Sequence, residues 1–325
     1  MKLLKRGMAG SLGLLMVALT LSGCGTSTNS TKASASKQVD MIISTFNNPF
    51  FVSVKNGAEN EAKKLGYTLV VQNANNDSPT ELNLAQTDIE EKPAALILDP
   101  VDSNAIVTAI NSANSANVPV FAFDRMPAGG KILTFIGYDD FSGGKAAADA
   151  LAKGVNDTGE VVEIQGTMGT NVAQNRSKSF EAEIAKFPNI HIVAKQPADF
   201  DRSQAMNVMT NLLEAHPGIK GVYASNDEMA MGVLAALKAK GLNKKVILIG
   251  NDGIKDALNA ITSGDIYATI AESPYYEGVQ VADIAEKIIS KKVIPAETTL
   301  EGRMVNKSNI ADYWKYLNKI GDPTD

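Results

Sequence analysis

Residues 118–125 read VPVFAFDR, an apolar run that stops on Asp124 and Arg125. The run 95–98, ALIL, stops in the same way on Asp99, which precedes Asp124 by 25 residues. Short apolar runs that end on polar residues are typical of strands buried on both faces of a parallel sheet. Ligands of open α/β sheets bind at the carboxyl ends of the strands, so we predict a polar binding edge here.

The second half of the chain repeats this layout. Residues 222–225, VYAS, end on Asn226, and residues 246–250, VILIG, end on Asn251 and Asp252. Asn226 precedes Asp252 by 26 residues, nearly the spacing of the first half. We therefore predict two α/β units whose polar edges face each other across a cleft.

Strand-like and helical segments alternate between these landmarks, which predicts right-handed crossovers and mostly parallel sheets covered on both faces. The predicted fold class is α/β, with two Rossmann-like lobes joined by a multi-strand hinge. The predicted strands cover residues 41–45, 68–72, 95–98, 118–123, 161–164, 222–225, 246–249 and 267–271, and the predicted helices include residues 52–64, 105–116, 142–153, 203–215, 228–240 and 276–290. Chain crossings are predicted near residues 136–140, 271–274 and 301–306, which assigns residues 39–138 and 274–302 to an N-terminal lobe and residues 139–273 and 303–325 to a C-terminal lobe.

The N-terminus has the pattern of an export signal. Lys2, Lys5 and Arg6 precede the apolar stretch 7–20, which has the length of a signal peptide and is short for a membrane span. It ends in LSGC at Cys24, which resembles the lipobox of bacterial lipoproteins. We expect residues 1–23 to be a signal peptide, Cys24 to be lipidated, and residues 24–38 to form a flexible tether. The alternative is a plain signal peptide with an incidental cysteine.

Composition excludes several classes of function. The net charge of −5 and the absence of a basic stripe argue against nucleic acid as a partner. Only two histidines occur, and we find no metal-ligand spacing, P-loop or G-x-G-x-x-G motif, so neither a metal nor a cofactor is predicted. A glycosidase would use two carboxylates, but arginines beside them would hold both ionised, so we expect no enzymatic activity.

Several longer motifs resemble the ribose-binding proteins of bacterial ABC importers, in order and over nearly the whole mature chain. They are STFNNPFFVS at 44–53, DPVDS at 99–103, DR at 124–125, QPADFDR at 196–202, NDEMA at 226–230 and ATIA at 268–271. The resemblance implies a two-lobed periplasmic-binding-protein fold, type I, with a small sugar held between the lobes. It also implies delivery to an ABC permease and its ATPase, an extracytoplasmic location and a monomer.

The same resemblance implies which residues contact the sugar. It gives the first lobe an aromatic wall, the second lobe an opposing ring, and both lobes charged groups for the hydroxyls. The residues are Asn48, Phe50, Phe51, Asp124 and Arg125 on the first side, and Arg176, Phe200, Asn226 and Asp252 on the second. Aromatic rings suit the C–H faces of a sugar, and aspartate beside arginine supplies acceptors and donors for neighbouring hydroxyls.

Each of these residue types also has a purely structural interpretation. Phe50 and Phe51 could pack at a helix start, Asp124 and Arg125 could form an ion pair, and Phe200 could be core. Asn226 could cap the helix that follows it.

Asp99, Asn251 and Glu272 are also predicted to contact the sugar, although these three positions depart from the ribose pattern. Asp99 and Glu272 stand where those proteins carry amides, and Asn251 stands where they carry phenylalanine. A carboxylate only accepts hydrogen bonds, whereas an amide also donates, so the bound sugar need not be ribose. D-ribose is the leading candidate, and another pentose, a hexose, a polyol or a sugar-like signal read in chemoreception or quorum signalling is the alternative. Residues 311–325 look like an addition to the family pattern.

Overall fold

The computed structural model describes residues 38–322. The predicted signal segment, Cys24 and the tether up to residue 37 lie outside the described residues. The strands are β1 (Gln38–Ile43), β2 (Thr68–Asn73), β3 (Ala95–Leu98), β4 (Val120–Phe123), β5 (Phe135–Tyr138), β6 (Gly159–Gln165), β7 (Ile190–Pro197), β8 (Ile219–Ala224), β9 (Ile247–Asp252), β10 (Ala268–Ala271), β11 (Glu297–Leu300) and β12 (Arg303–Asn306). The helices are α1 (Pro49–Leu65), α2 (Ser78–Glu91), α3 (Val107–Ala116), α4 (Asp140–Gly154), α5 (Asn171–Ile184), α6 (Arg202–Ala215), α7 (Asp227–Ala239), α8 (Lys255–Ser263), α9 (Pro274–Ile289) and α10 (Ile310–Ile320).

The strands of the described chain form two six-stranded sheets. The first sheet has the order β11-β5-β4-β3-β1-β2, and all of its neighbouring strands are parallel. The second has the order β12-β10-β9-β8-β6-β7, and only its edge strand β12 runs antiparallel, to β10. The predicted α/β class with two parallel-dominated sheets is confirmed.

Both faces of each sheet are covered, which explains why inner strands such as β3 (ALIL) and β4 (VFAF) read as unbroken apolar runs. In the first sheet, Met41 packs in one core with Val54 of α1 and Val281 of α9. Its neighbour Ile42 points the other way and packs in a separate core with Ile110 of α3. Helices α4 and α5, and α6 and α7, pair in the same manner beside the second sheet.

The chain passes between the two sheets three times. It leaves the first sheet after β5, returns after β10, and leaves again between β11 and β12. The predicted crossing at 136–140 overlaps β5, because the apolar segment there pairs with β4 before the chain leaves. Helix α9 follows a strand of the second sheet but packs against α1 of the first.

The predicted C-terminal addition, residues 311–325, begins one residue after the start of helix α10. Its Tyr313 lies with its hydroxyl 3.0 Å from Oγ of Ser273, at the return crossing after β10. Among residues 38–322, none of the helices is both long enough and apolar enough to cross a membrane.

Candidate functional site

A small cavity lies where the carboxyl ends of the two sheets meet, with about 260 Å³ of empty space, its mouth included. Nine of the twelve predicted ligand-binding residues line it, together with Val172. The first side supplies Asn48, Phe50, Phe51, Asp124 and Arg125, and the second side supplies Arg176, Phe200, Asn226 and Asp252. The cavity is narrow and is lined by side chains from both sides, so it suits a compact molecule.

The aromatic wall on the first side is built by the start of α1. The side chain of Asn48 accepts a hydrogen bond from the amide of Phe50 at 2.9 Å and so caps the helix, while Pro49 occupies its first turn. Phe50 and Phe51 are both buried and meet edge to face, with ring centroids 5.2 Å apart. The structural and ligand-facing interpretations of these two rings are therefore compatible, since both rings also line the cavity.

Arg125 connects the two sides of the cavity through its flat guanidinium group. Its Cζ lies 5.3 Å from the ring centroid of Phe51 and 5.6 Å from that of Phe200 on the opposite side. Its Nη1 donates to the carbonyl of Pro100 at 3.1 Å, and its Nε lies 3.6 Å from carboxylate oxygens of Asp99 and Asp124. At 3.6 Å these are ion pairs without a hydrogen bond, so Nε keeps its donor capacity.

Arg176, on α5, is enclosed by acidic groups. Its Nε donates to Asp140 at 2.9 Å, and its Nη1 donates to the carbonyl of Ser225 at 2.9 Å and to Asp252 at 3.3 Å. Its Nη2 donates to both carboxylate oxygens of Glu272, at 2.8 and 2.9 Å. Protein acceptors therefore engage all three nitrogens of this guanidinium, and Arg176 positions Asp252 against the cavity.

The three residues that depart from the ribose pattern lie behind the cavity wall. Asp99 accepts a hydrogen bond from the amide of Ser44 at 2.9 Å, and Asn251 donates to Glu272 at 2.8 Å. All three are almost completely buried, and none of them lines the cavity. Asp99 pairs with Arg125, and Glu272, which Asn251 supports, pairs with Arg176.

Three cavity residues carry buried polar atoms that have no hydrogen-bond partner in the protein. They are Nε of Arg125, Nδ2 of Asn226 and Oδ2 of Asp252. Asn226 does cap α7, because its Oδ1 accepts from the amide of Met229 at 2.9 Å, but that bond leaves the amide nitrogen free. Because buried polar groups in folded proteins are nearly always paired, two free donors and one free acceptor indicate a polar ligand.

Burial also raises the pKa of the carboxyl groups around the cavity. Desolvation raises the pKa of Asp252 well above its ordinary value and that of Asp124 less far, although nearby guanidinium groups oppose both shifts. For the same reason, the pKa of Asp140 reaches about 8 and the pKa of Asp99 about 7. The site therefore concentrates carboxyl groups whose charge depends on pH and on what fills the cavity.

The backbone is strained at the residues that face the ligand space. Asp124 has a φ of 54°, Asp252 of 121° and Phe200 of 58°. Such values are uncommon outside glycine and cluster at functional sites, where the surrounding fold holds them in place. Gly166 makes room for the ring of Phe200, because a Cβ on this glycine would lie 2.1 Å from Cζ of that ring.

Two residues of the site were not predicted from sequence. Val172 lines the cavity from α5, four residues before Arg176 and therefore on the same helix face. Asp140 binds Arg176 and begins α4, just after Asp139 caps that helix. The spacing to Arg176 could have indicated Val172, whereas nothing local marks Asp140, which meets its partner only in the fold.

Comparison with known proteins agrees with this architecture. The sequence profile of the periplasmic binding protein domain matches residues 39–292. The chain belongs to this family. The ribose import binding protein of Escherichia coli K12 is 39% identical over 296 residues, which cover 91% of this chain and 98% of that protein. The ribose import binding protein of Bacillus subtilis 168 is 40% identical over 256 residues, covering 79% and 83%.

Solved structures of the family share the fold. An ABC transporter solute-binding protein from Actinobacillus succinogenes 130z, with bound D-allose, superposes with a TM-score of 0.80 at 32% identity, covering 85% of this chain and 99% of that one. A Bacillus halodurans C-125 solute-binding protein with bound myo-inositol gives a TM-score of 0.82 at 26% identity, covering 87% and 99%.

Proposed function

We propose that this protein captures a monosaccharide, with D-ribose as the leading candidate, between its two sheets and delivers it to an ABC importer. The observation that carries this proposal is the cavity itself, which aromatic rings from both sides line together with two unpaired donors and one unpaired acceptor. In this proposal the two lobes assigned from sequence close on the sugar. The three chain crossings between the sheets then form the hinge.

The chemistry of the cavity matches a sugar ring. Phe50 and Phe51 on one side and Phe200 on the other suit its two C–H faces. Arg125, Asn226 and Asp252 suit the hydroxyls at its rim, as donors and an acceptor respectively. Hydrogen bonds to charged groups contribute about 1.5–3 kcal/mol each, so a few of them reach the roughly 8 kcal/mol of micromolar affinity.

Family membership supports binding and transport over catalysis. The relatives are import binding proteins, and the family consists of solute-binding proteins. In residues 38–322, no group of three or more His, Cys, Asp or Glu side chains is placed to hold a metal ion. We therefore infer an extracytoplasmic receptor whose partners are the permease and the ATPase of an importer.

The identity of the sugar is the finer part of the proposal. Relatives at 32% identity include D-apiose import binding proteins and the D-allose-binding protein of Escherichia coli K12. Glu272 and Asp99 add acceptors behind the two arginines, which can shift the preference among such sugars. Lipidation at Cys24 and a monomeric state complete the proposal, supported by the lipobox-like sequence and by the family resemblance.

Calorimetric titration of the mature protein tests the proposal. D-ribose, D-allose, D-apiose, D-arabinose and myo-inositol form the panel, and we expect one of the sugars to bind with micromolar or tighter affinity. Solution scattering in parallel should show a smaller radius of gyration with that sugar than without it, because ligand shifts the lobes towards closure. Absence of binding across the panel, with a radius of gyration that never changes, would contradict the proposal.

A further inference from the structure

We call the small cavity described above the inner cavity. A second, larger cavity adjoins it and shares three of its residues, Asn48, Arg125 and Phe200. We call it the outer chamber, and it holds about 650 Å³ of empty space, its opening included. Its remaining walls come from the loops after β1 and β2 on the first side and from the start of α6 and of α7 on the second. The outer chamber is therefore formed by both sides of the cleft, like the cavity behind it.

The lining of the outer chamber is rich in neutral hydrogen-bonding groups. Thr45, Asn47 and Asn76 supply a hydroxyl and two amides from the first side, and Ser203 supplies a hydroxyl from the second. Of these four, only Thr45 is buried. This combination suits a hydroxylated group better than an aliphatic or aromatic one.

The charges of the outer chamber are already paired, which argues against an anionic occupant such as a phosphate. Arg202 donates to both carboxylate oxygens of Glu228 and, at 2.8 Å, to Asp256. Asp201 adds a further acidic group and caps α6 through the amide of Gln204. An anion in the outer chamber would therefore lie beside acidic side chains. Of the two cations in the lining, only Arg125 makes no hydrogen bond to a carboxylate.

The two cavities are separated by a side chain, that of Phe200, and not by backbone. The ring of Phe200 sits there on a strained backbone, in space left by Gly166, against the guanidinium of Arg125. Nε of Arg125 is buried and unpaired beside this boundary. A sugar in the inner cavity that carries a substituent towards Arg125 would extend into the outer chamber.

We propose that the outer chamber is a subsite for a hydroxylated substituent on the bound sugar, so that the protein accepts glycosides as well as free monosaccharides. This inference rests on the proposed function, since it assumes that the sugar ring occupies the inner cavity. It assigns the ligand class as a monosaccharide joined to a short polyol or to a second sugar unit.

The test compares D-ribose, D-allose and D-arabinose with their glyceryl glycosides by calorimetric titration. We expect the glyceryl glycoside of the sugar that binds to keep its affinity within tenfold of the free sugar or to exceed it. Ser203→Trp, which fills the outer chamber, should weaken the glycoside at least tenfold and change the free sugar less than twofold. Gln204→Trp places the same side chain on the neighbouring exposed position and should leave both affinities unchanged.

The outcomes separate the two proposals. Glycosides that bind more than tenfold more weakly than the free sugars, or a Ser203→Trp variant that weakens both ligands equally, would overturn the subsite and leave monosaccharide capture intact. Binding of a glycoside without any binding of free sugars would support the subsite and overturn capture of a simple monosaccharide. Absence of binding by all free sugars and all glycosides would overturn both proposals. As a folding control, Ser203→Trp should unfold thermally at the same temperature as the wild type.

Discussion

At the scale of single residues, Arg125 and Arg176 differ in what they can still offer a ligand. All three nitrogens of Arg176 donate to the protein, to Asp140, Asp252, Glu272 and the carbonyl of Ser225. Arg125 makes one hydrogen bond, to the carbonyl of Pro100, and keeps Nε free. We therefore propose that Arg125 contacts the sugar directly and that Arg176 acts through the carboxylates that it holds.

Replacement of Arg125 tests this distinction directly. We expect Arg125→Ala to weaken sugar binding about a hundredfold or more, because losing hydrogen bonds to a buried charged group costs roughly 3 kcal/mol. Arg303→Ala is the matched control, since Arg303 also stacks on an aromatic ring, Tyr316, but away from the cavity. Titration that gives equal affinities for Arg125→Ala and wild type would remove Arg125 from the site.

A substitution at Glu272 tests whether residues behind the cavity wall determine which sugar is preferred. Glu272→Gln replaces one of the two oxygens that accept from Nη2 of Arg176 with a donor amide, which loosens Arg176 and through it the Asp252 that lines the cavity. We expect the ratio of ribose to allose affinity to change more than threefold. Glu163→Gln, a substitution at another buried glutamate outside the cavity lining, should leave that ratio unchanged. A ratio that does not move in Glu272→Gln would make Glu272 purely structural.

At the scale of elements, a very close helix contact joins the first half of the chain to its last third. A Cβ on Gly278 of α9 would lie 2.0 Å from the carbonyl oxygen of Val54 on α1. A Cβ on Gly57 of α1 would lie 2.1 Å from the carbonyl oxygen of Tyr275. The two helices therefore approach backbone to backbone, and this contact fixes α9 beside the first sheet.

Adding one methyl group at this contact should loosen it. We expect Gly278→Ala to lower the free energy of unfolding by about 1–3 kcal/mol, the usual cost of overpacking a close contact. Gly129→Ala should be nearly neutral, because a Cβ there would meet only Val107, at 3.8 Å. Urea denaturation of both variants measures the difference, and equal midpoints would show that α1 and α9 can separate without cost.

The helices and strands differ in how well they can be predicted from their sequences. Strands such as β3 and β4 were predictable because both of their faces are buried and their residues are uniformly apolar. Helix α2 escaped prediction because two of its buried positions, Glu81 and Asp88, are acidic, which interrupts the apolar period. The carboxyl-end polar residues were predictable from strand ends, whereas the Asp140–Arg176 pair depends on packing between α4 and α5 that no local pattern encodes.

At the scale of the whole molecule, acidic groups are buried close together near the return crossing. Glu277 on α9 is fully buried, and neither of its carboxylate oxygens has a hydrogen-bond partner. Desolvation, together with the nearby carboxyls of Asp124, Glu272 and Asp99, raises its pKa well above the ordinary value of 4.5. The folded protein therefore keeps this group protonated while the unfolded chain releases the proton.

The sign of the pH dependence follows from this shift. The stability that protonated Glu277 contributes is complete below pH 4.5 and is lost as the pH rises towards its folded pKa, at up to about 1.4 kcal/mol per pH unit. We expect the free energy of unfolding to fall as the pH rises above 4.5, and to fall less steeply in Glu277→Gln. Glu90→Gln, at an exposed glutamate, should follow wild type. Identical slopes for Glu277→Gln and wild type would show that other carboxyls govern the pH dependence.

The order of the strands also dictates when each sheet can be finished. The first sheet takes its edge strand β11 from residues 297–300, although its other five strands end at Tyr138. Only Glu301 and Gly302 separate that strand from the last strand of the second sheet. Contacts of such long sequence separation form late and slowly. A chain emerging from the ribosome thus cannot complete either half until nearly all of it has been synthesised, and then both halves close almost together.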